Sequence, residues 1–141
     1  MHDAEADYQP QPERAERDFQ KIGEFFCAFS FLEDWISAYI KEHVQCDGLT
    51  NLNFASQVEI WILVANAAQP NDRRIQETYC LLKEVSKARN LIAHARWHED
   101  LTRGQLHGTD RKRKKKSMSS HDISEMLNKT RRCQAIMEFW I

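Results

Sequence analysis

Apolar positions recur at helical spacing in four stretches of this chain, with one stretch between the third and fourth that loses the period. From Asp18 to about Val44, with no internal proline, Ile22, Phe26, Phe29, Ile36 and Ile40 fall on one helical face. Cys46-Asp47-Gly48 follows, and Gly48 reads as the stop. Residues 54–68 (FASQVEIWILVANAA) predict a second helix, capped near Ser56 and ended by Pro70 and Asn71. A third starts at Asp72, a good N-cap, and carries Ile75, Tyr79, Leu82 and Val85 on towards His94. Residues 95–120 show no helical repeat, and Gly104 and Gly108 suggest a loop or short β-hairpin. Ser120 or Asp122 then opens a last helix with Ile123, Leu127, Ile136 and Met137. The pattern predicts an all-α fold: an antiparallel four-helix bundle with an irregular loop or short β-hairpin insert before the last helix. It spans residues 18–141 and follows a flexible leader, 1–17, in which Pro10 and Pro12 stand among charges.

A length of 141 residues suits one domain with a core of its own. The mean hydropathy is −0.66 and no run of 18 apolar residues occurs, so no membrane partner is expected. The N-terminal residues lack the basic flank and apolar stretch of a signal peptide. Cys27, Cys46, Cys80 and Cys133 are scattered without a CxxC spacing, which predicts reduced thiols in a cytoplasmic protein. Cys27 and Cys80, among apolar neighbours, are expected to pack as small hydrophobes. The net charge of −1 hides an asymmetry. Residues 103–132 hold ten Lys or Arg against three acids, a balance of +7, which leaves −8 elsewhere. One face suited to a polyanion follows.

Candidate chemistry concentrates at Arg89-Asn90-Leu91-Ile92-Ala93-His94. Arg presents a planar fork of donors to phosphate oxygens, and His titrates near neutral pH. Those two groups suffice for RNA cleavage without a metal. Glu33 falls in the middle of the first helix's apolar stripe, where a carboxylate needs a cation or several donors. Arg89 lies near the apolar stripe of its own helix, so a Glu33–Arg89 pair would explain both. On a straight helix Arg89 and His94 are about 140° apart, so one phosphate meets both only if the helix breaks or two protomers contribute. A second apolar line on the first helix, with Phe31 and Trp35, is expected at a homodimer interface. Arg111, Lys112, Arg113, Lys114, Lys115 and Lys116 form a run of cations expected to bind RNA backbone by counterion release. His94 and His98 would lie one helical turn apart, as in zinc sites, but lack an obvious third ligand; no metal and no cofactor are expected.

Glu33 within FLEDWI, the FASQVEIWI segment and Arg89-Asn90-Leu91-Ile92-Ala93-His94 together resemble the HEPN-domain family, over nearly the whole chain past residue 18. The resemblance implies a helical bundle that dimerises with its Arg-x4-His motifs face to face. For active members it implies metal-independent endoribonuclease activity that leaves a 2′,3′-cyclic phosphate, often in toxin–antitoxin or phage-defence systems. Catalytic roles would then fall to Arg89, Asn90, His94 and Glu33, with an antitoxin or regulatory protein as a further partner. Inactive members serve as nucleotide-binding, nucleic-acid-binding or dimeric scaffold domains, which is the alternative reading. Arg96 stands where toxins neutralised by a nucleotidyltransferase carry Tyr, so the site that such a partner would modify is absent.

Overall fold

Pro12 is tolerated in the first turn of a helix, where its missing N–H has no intrahelical partner to lose and its fixed φ is already helical. Helix α1 (Gln11–His43) accordingly begins seven residues before Asp18 and takes in part of the expected leader. The computed structural model describes the backbone of residues 11–94, 96–100, 105–109 and 115–139, and side chains over 16–49, 51–93 and 117–139. At 1.5 Å per residue α1 is about 50 Å long. Its sealed line is Phe25, Phe29, Leu32, Ile36 and Ile40, while Ile22 and Phe26 are only partly buried. The stripe is thus turned from the expected one, because α1 packs chiefly against two other helices and the positions between them are closed most completely. At its C-terminal end His43 stacks on Tyr39 with ring centroids 4.0 Å apart, and its Nδ1 lies 2.9 Å from the Tyr39 carbonyl.

Gly48 does not stop α1. It adopts φ 91° at the start of a 3-10 turn (Leu49–Asn51), a conformation that glycine enters without a Cβ penalty. Residues 44–53 lead the chain back along α1 to helix α2 (Phe54–Ala68), which has the predicted bounds. Its cap is Asn53, not Ser56: the Asn53 side chain accepts from the Ser56 N–H at 2.9 Å. Contacts between α1 and α2 advance in the same direction, Phe29 to Phe54, Ser37 to Gln57 and Tyr39 to Trp61. Asn71, with φ 66°, turns the chain into helix α3 (Arg73–His94), and Asp72 accepts from the Arg74 N–H at 3.0 Å as expected of an N-cap.

Helix α4 (Ser120–Glu138) starts from a capping box between Ser119 and Asp122. It runs antiparallel to α3, as the pairs Glu77–Arg132 and Glu84–Lys129 require. Its contacts with α1 advance in one sense, from Asp18–Ser120 and Lys21–Ser124 to Glu24–Arg131. These helices make the predicted four-helix bundle, closed around Phe25, Leu32, Ile36, Trp61, Leu82, Ile123 and Met137. It is not antiparallel throughout: α1 runs parallel to α2 and α4, because residues 44–53 carry the chain back along α1, and α3 runs the opposite way.

The insert before α4 is more ordered than a loop or single hairpin. It forms a three-stranded antiparallel meander of β1 (Arg96–Asp100), β2 (Gln105–Thr109) and β3 (Lys115–Ser119), in that order. Trp97 pairs with Gly108, and Gly108 with Lys116. Met118 of β3 is buried against the bundle and anchors the sheet. Among the described residues no helix is long and apolar enough to cross a membrane. Cys27 and Cys80, expected to be packed, are exposed, and Cys133 is the buried thiol. Burial pushes the Cys133 pKa up to about 12.

Candidate functional site

Residues four apart on a helix lie one above the other on the same face, so Phe29, Glu33 and Ser37 make a row along α1. That row is one wall of a cleft of about 750 Å³. The N-terminal turn of α2 supplies Asn53, Phe54 and Gln57, and α3 supplies Ser86, Arg89 and Asn90. The volume is within the range of small-ligand sites, about 300–1,000 Å³. Its floor is aromatic: Phe29 and Phe54 meet edge to face at 4.7 Å. The Arg89 guanidinium lies over the Phe29 ring, 5.9 Å from its centroid, a cation–π arrangement. Arg89 Nη1 also donates to Asn90 Oδ1 at 3.5 Å. Gln57 is fixed, donating to the Leu52 carbonyl at 2.8 Å and accepting from the Ser37 hydroxyl at 2.7 Å.

Three of the four expected catalytic residues, Glu33, Arg89 and Asn90, therefore line one cleft. The expected Glu33–Arg89 ion pair does not form. Arg89 lies over Phe29, one turn back along α1 from Glu33, and both side chains are half-buried rather than sealed. Their partial exposure to solvent screens both charges, so neither needs the other to neutralise it. His94 is the last residue of α3, and its side chain is outside the described residues. Because α3 is unbroken from Arg73 to His94, the separation of about 140° between Arg89 and His94 holds within one chain.

No protein-family model, curated protein or solved structure matches the chain.

The remaining expectations meet the structure unevenly. Trp35 is half-buried within the chain: it stacks on Tyr39 at 5.3 Å and meets Trp61 edge-on at 6.4 Å. Phe31 is likewise partly buried against the core, so the second apolar line of α1 is covered in part without a partner. Arg111, Lys112, Arg113 and Lys114 lie outside the described residues; Lys115 and Lys116 open β3, with side chains outside them. His98 belongs to β1, opposite His107, so the helical spacing of His94 and His98 does not arise. Among the described residues no three His, Cys, Asp or Glu are grouped to hold a metal ion.

Sequence reasoning missed Ser86, Phe54 and Asp34 as parts of the cleft. Ser86 is nine-tenths buried where it lines the cleft. Its signal was legible: a small polar residue three positions before Arg89, hence on the same face of α3. Phe54 carried no such signal, because residues 44–53 bring it to Phe29 from a distant point in the chain. Beyond Ser86 and Asn90 the groove continues between α2 and α3 past Lys83, Lys87 and Glu59. There the Tyr79 hydroxyl donates to both Glu59 oxygens, at 2.7 and 2.9 Å, which raises its pKa.

Proposed function

We propose that the chain is a metal-independent endoribonuclease of the HEPN type, acting as a homodimer. The observation that carries this reading is the cleft in which Arg89 and Asn90 meet an aromatic floor and a carboxylate, at the end of the helix that continues to His94. An Arg at the mouth of such a cleft can hold a scissile phosphate through two parallel hydrogen bonds. In the proposed reaction the ribose 2′-oxygen attacks phosphorus, the bond from phosphorus to the 5′-oxygen breaks, and a 2′,3′-cyclic phosphate forms. His94 takes the proton from the 2′-hydroxyl or gives one to the departing 5′-oxygen. Arg89 stabilises the charge that develops on the phosphorane, and Asn90 orients the substrate.

An unbroken α3 argues for two protomers. Arg89 of one copy and His94 of the other can face a shared phosphate where a single chain cannot bring both to it. Phe31 and Trp35, each partly exposed, are the proposed margin of that dimer. Arg111, Lys112, Arg113, Lys114, Lys115 and Lys116 serve as the backbone-binding run. A role as a toxin or phage-defence effector in the cytoplasm, with a regulatory partner, rests on the family resemblance of FLEDWI, FASQVEIWI and the Arg-x4-His segment.

The test is incubation of the purified protein with labelled RNA in excess EDTA, beside the His94→Ala variant. Wild type should cleave to cyclic-phosphate ends and His94→Ala should not, with both running as dimers by light scattering. Equal cleavage by the two proteins, or none by either, overturns the enzyme. RNA binding without cleavage would leave a catalytically silent binding domain.

A further inference from the structure

The cleft has two chemically opposite ends. Arg89, Asn90 and the Ser86 hydroxyl can donate hydrogen bonds at the α3 wall. Glu33 and Asp34 at the α1 wall offer only acceptors, and neither closes an ion pair among the described residues. Arg89 lies over Phe29, and Glu33 is the next residue of that row, one helical turn or about 6 Å further along α1. Between the ends are the aromatic rings of Phe29 and Phe54 and the exposed Leu52 side chain.

A polyanion gains nothing by placing phosphates beside two carboxylates; like charges at close range repel. A strand held by its phosphate at Arg89 must therefore turn something other than phosphate towards Glu33. The base is the group one step from the phosphate, and unstacked RNA bases are read along their hydrogen-bonding edges. A carboxylate accepts two parallel hydrogen bonds most completely from two N–H groups on adjacent atoms of a planar edge. Guanine has that edge, in its N1–H and 2-amino group. Adenine and cytosine offer an amino group beside an acceptor nitrogen, and uracil a single ring N–H between two carbonyls.

We infer that the cleft is a guanine-reading pocket in which Glu33 accepts from the base edge while Arg89 and Ser86 hold the phosphate and ribose of the same nucleotide. The inference rests on the proposed RNA-cleaving reading and assigns Glu33 to substrate recognition instead of a pair with Arg89. Asp34, more exposed at the rim, adds negative potential that repels a misplaced phosphate.

The experiment uses the full-length His94→Ala protein and fluorescent five-nucleotide RNAs of uridine with one central variable base, read by anisotropy at fixed salt. The guanosine oligonucleotide should bind roughly tenfold or more tightly than those with adenosine, cytidine or uridine, the order of discrimination a bidentate pair gives. Inosine, which lacks the 2-amino group, should lose most of that advantage. Glu33→Gln, whose folded state is checked by circular dichroism, should bind all of them at the uridine level. Equal binding of every base, or a guanosine preference that survives Glu33→Gln, overturns the inference. If wild type still cleaves RNA in EDTA under either result, only the base-reading fails and the nuclease stands. Failure of every RNA to bind, with capture of a basic peptide instead, overturns both.

Discussion

Along α4 the charged side chains close on partners. Arg131 reaches Glu24 at 3.2 Å, Lys129 reaches Glu84 at 3.4 Å, and Arg132 meets Glu77. In the cleft between α1, α2 and α3, Arg89, Glu33 and Asp34 face a common gap and form no ion pair among the described residues. The two regions use the same residue types on the same bundle. The first seals a seam between helices over the dry core; the second leaves donors and acceptors open beside an aromatic floor. Charges that form no ion pair, yet line a concavity, are the ones available to a ligand.

The largest expected effect lies behind the cleft. Trp61 is fully buried and meets both Trp35 and Tyr39 edge-on. Trp61→Ala should cost about 3–5 kcal/mol, measured as a lower denaturant midpoint with an unchanged slope. A loss under about 1 kcal/mol would mean that the back of the cleft is not a sealed core, and the contrast with the α4 seams would collapse.

A second large effect comes from the other side of the molecule. Burial raises the Cys133 thiol from its ordinary 9.0 to about 12. The folded state then keeps a proton that the unfolded chain releases, so stability is intact below about pH 9 and falls as pH rises towards 12, by up to about 4 kcal/mol. Tyr39, whose pKa is raised by burial and then by Glu42, acts in the same direction. Replacing Cys133 by Ala should flatten the alkaline limb of a stability–pH curve. In native protein a thiol reagent should modify Cys27, Cys46 and Cys80 quickly and Cys133 only on unfolding.

The smallest stability effects are expected where the two regions are compared directly. Arg132→Ala removes an exposed ion pair and should lower stability by roughly 0.2–1 kcal/mol without altering RNA cleavage. Arg89→Ala, lacking such a pair, should change stability no more than that while cleavage falls about 10²–10³-fold, as for loss of one donor to a developing oxyanion. Comparable stability losses with no difference in cleavage would erase the distinction between seam and cleft.

Much of the bundle was legible in the chain. The bounds of α2, the start of α3 at Asp72 and the capping signal around Ser120 follow from local rules: helical period, side-chain caps and breakers. These act within a few residues, so a sequence displays them directly. Local signals also placed Arg89 and Asn90 together near the end of α3. The early start of α1 at Gln11 escaped because a proline was read as a break where it was a first-turn residue. A hairpin was among the expectations; the full three-stranded meander escaped because its five-residue segments RWHED, QLHGT and KKSMS have little apolar alternation.

The sequence by itself determined that the chain is helical, where most helices begin and end, and which residue types could handle a phosphate. It could also name Glu33 as a carboxylate in the middle of an apolar stripe. Only the tertiary structure decided what that carboxylate meets. Residues 44–53 return Phe54 to Phe29, Arg89 settles over the ring instead of on Glu33, and a cleft opens where an ion pair was expected. The reason is physical. Periodicity fixes which face of a helix turns inward, but the separation and sense of neighbouring helices come from the packing of large rings such as Trp35 on Trp61. That packing depends on side chains brought together from separate parts of the chain.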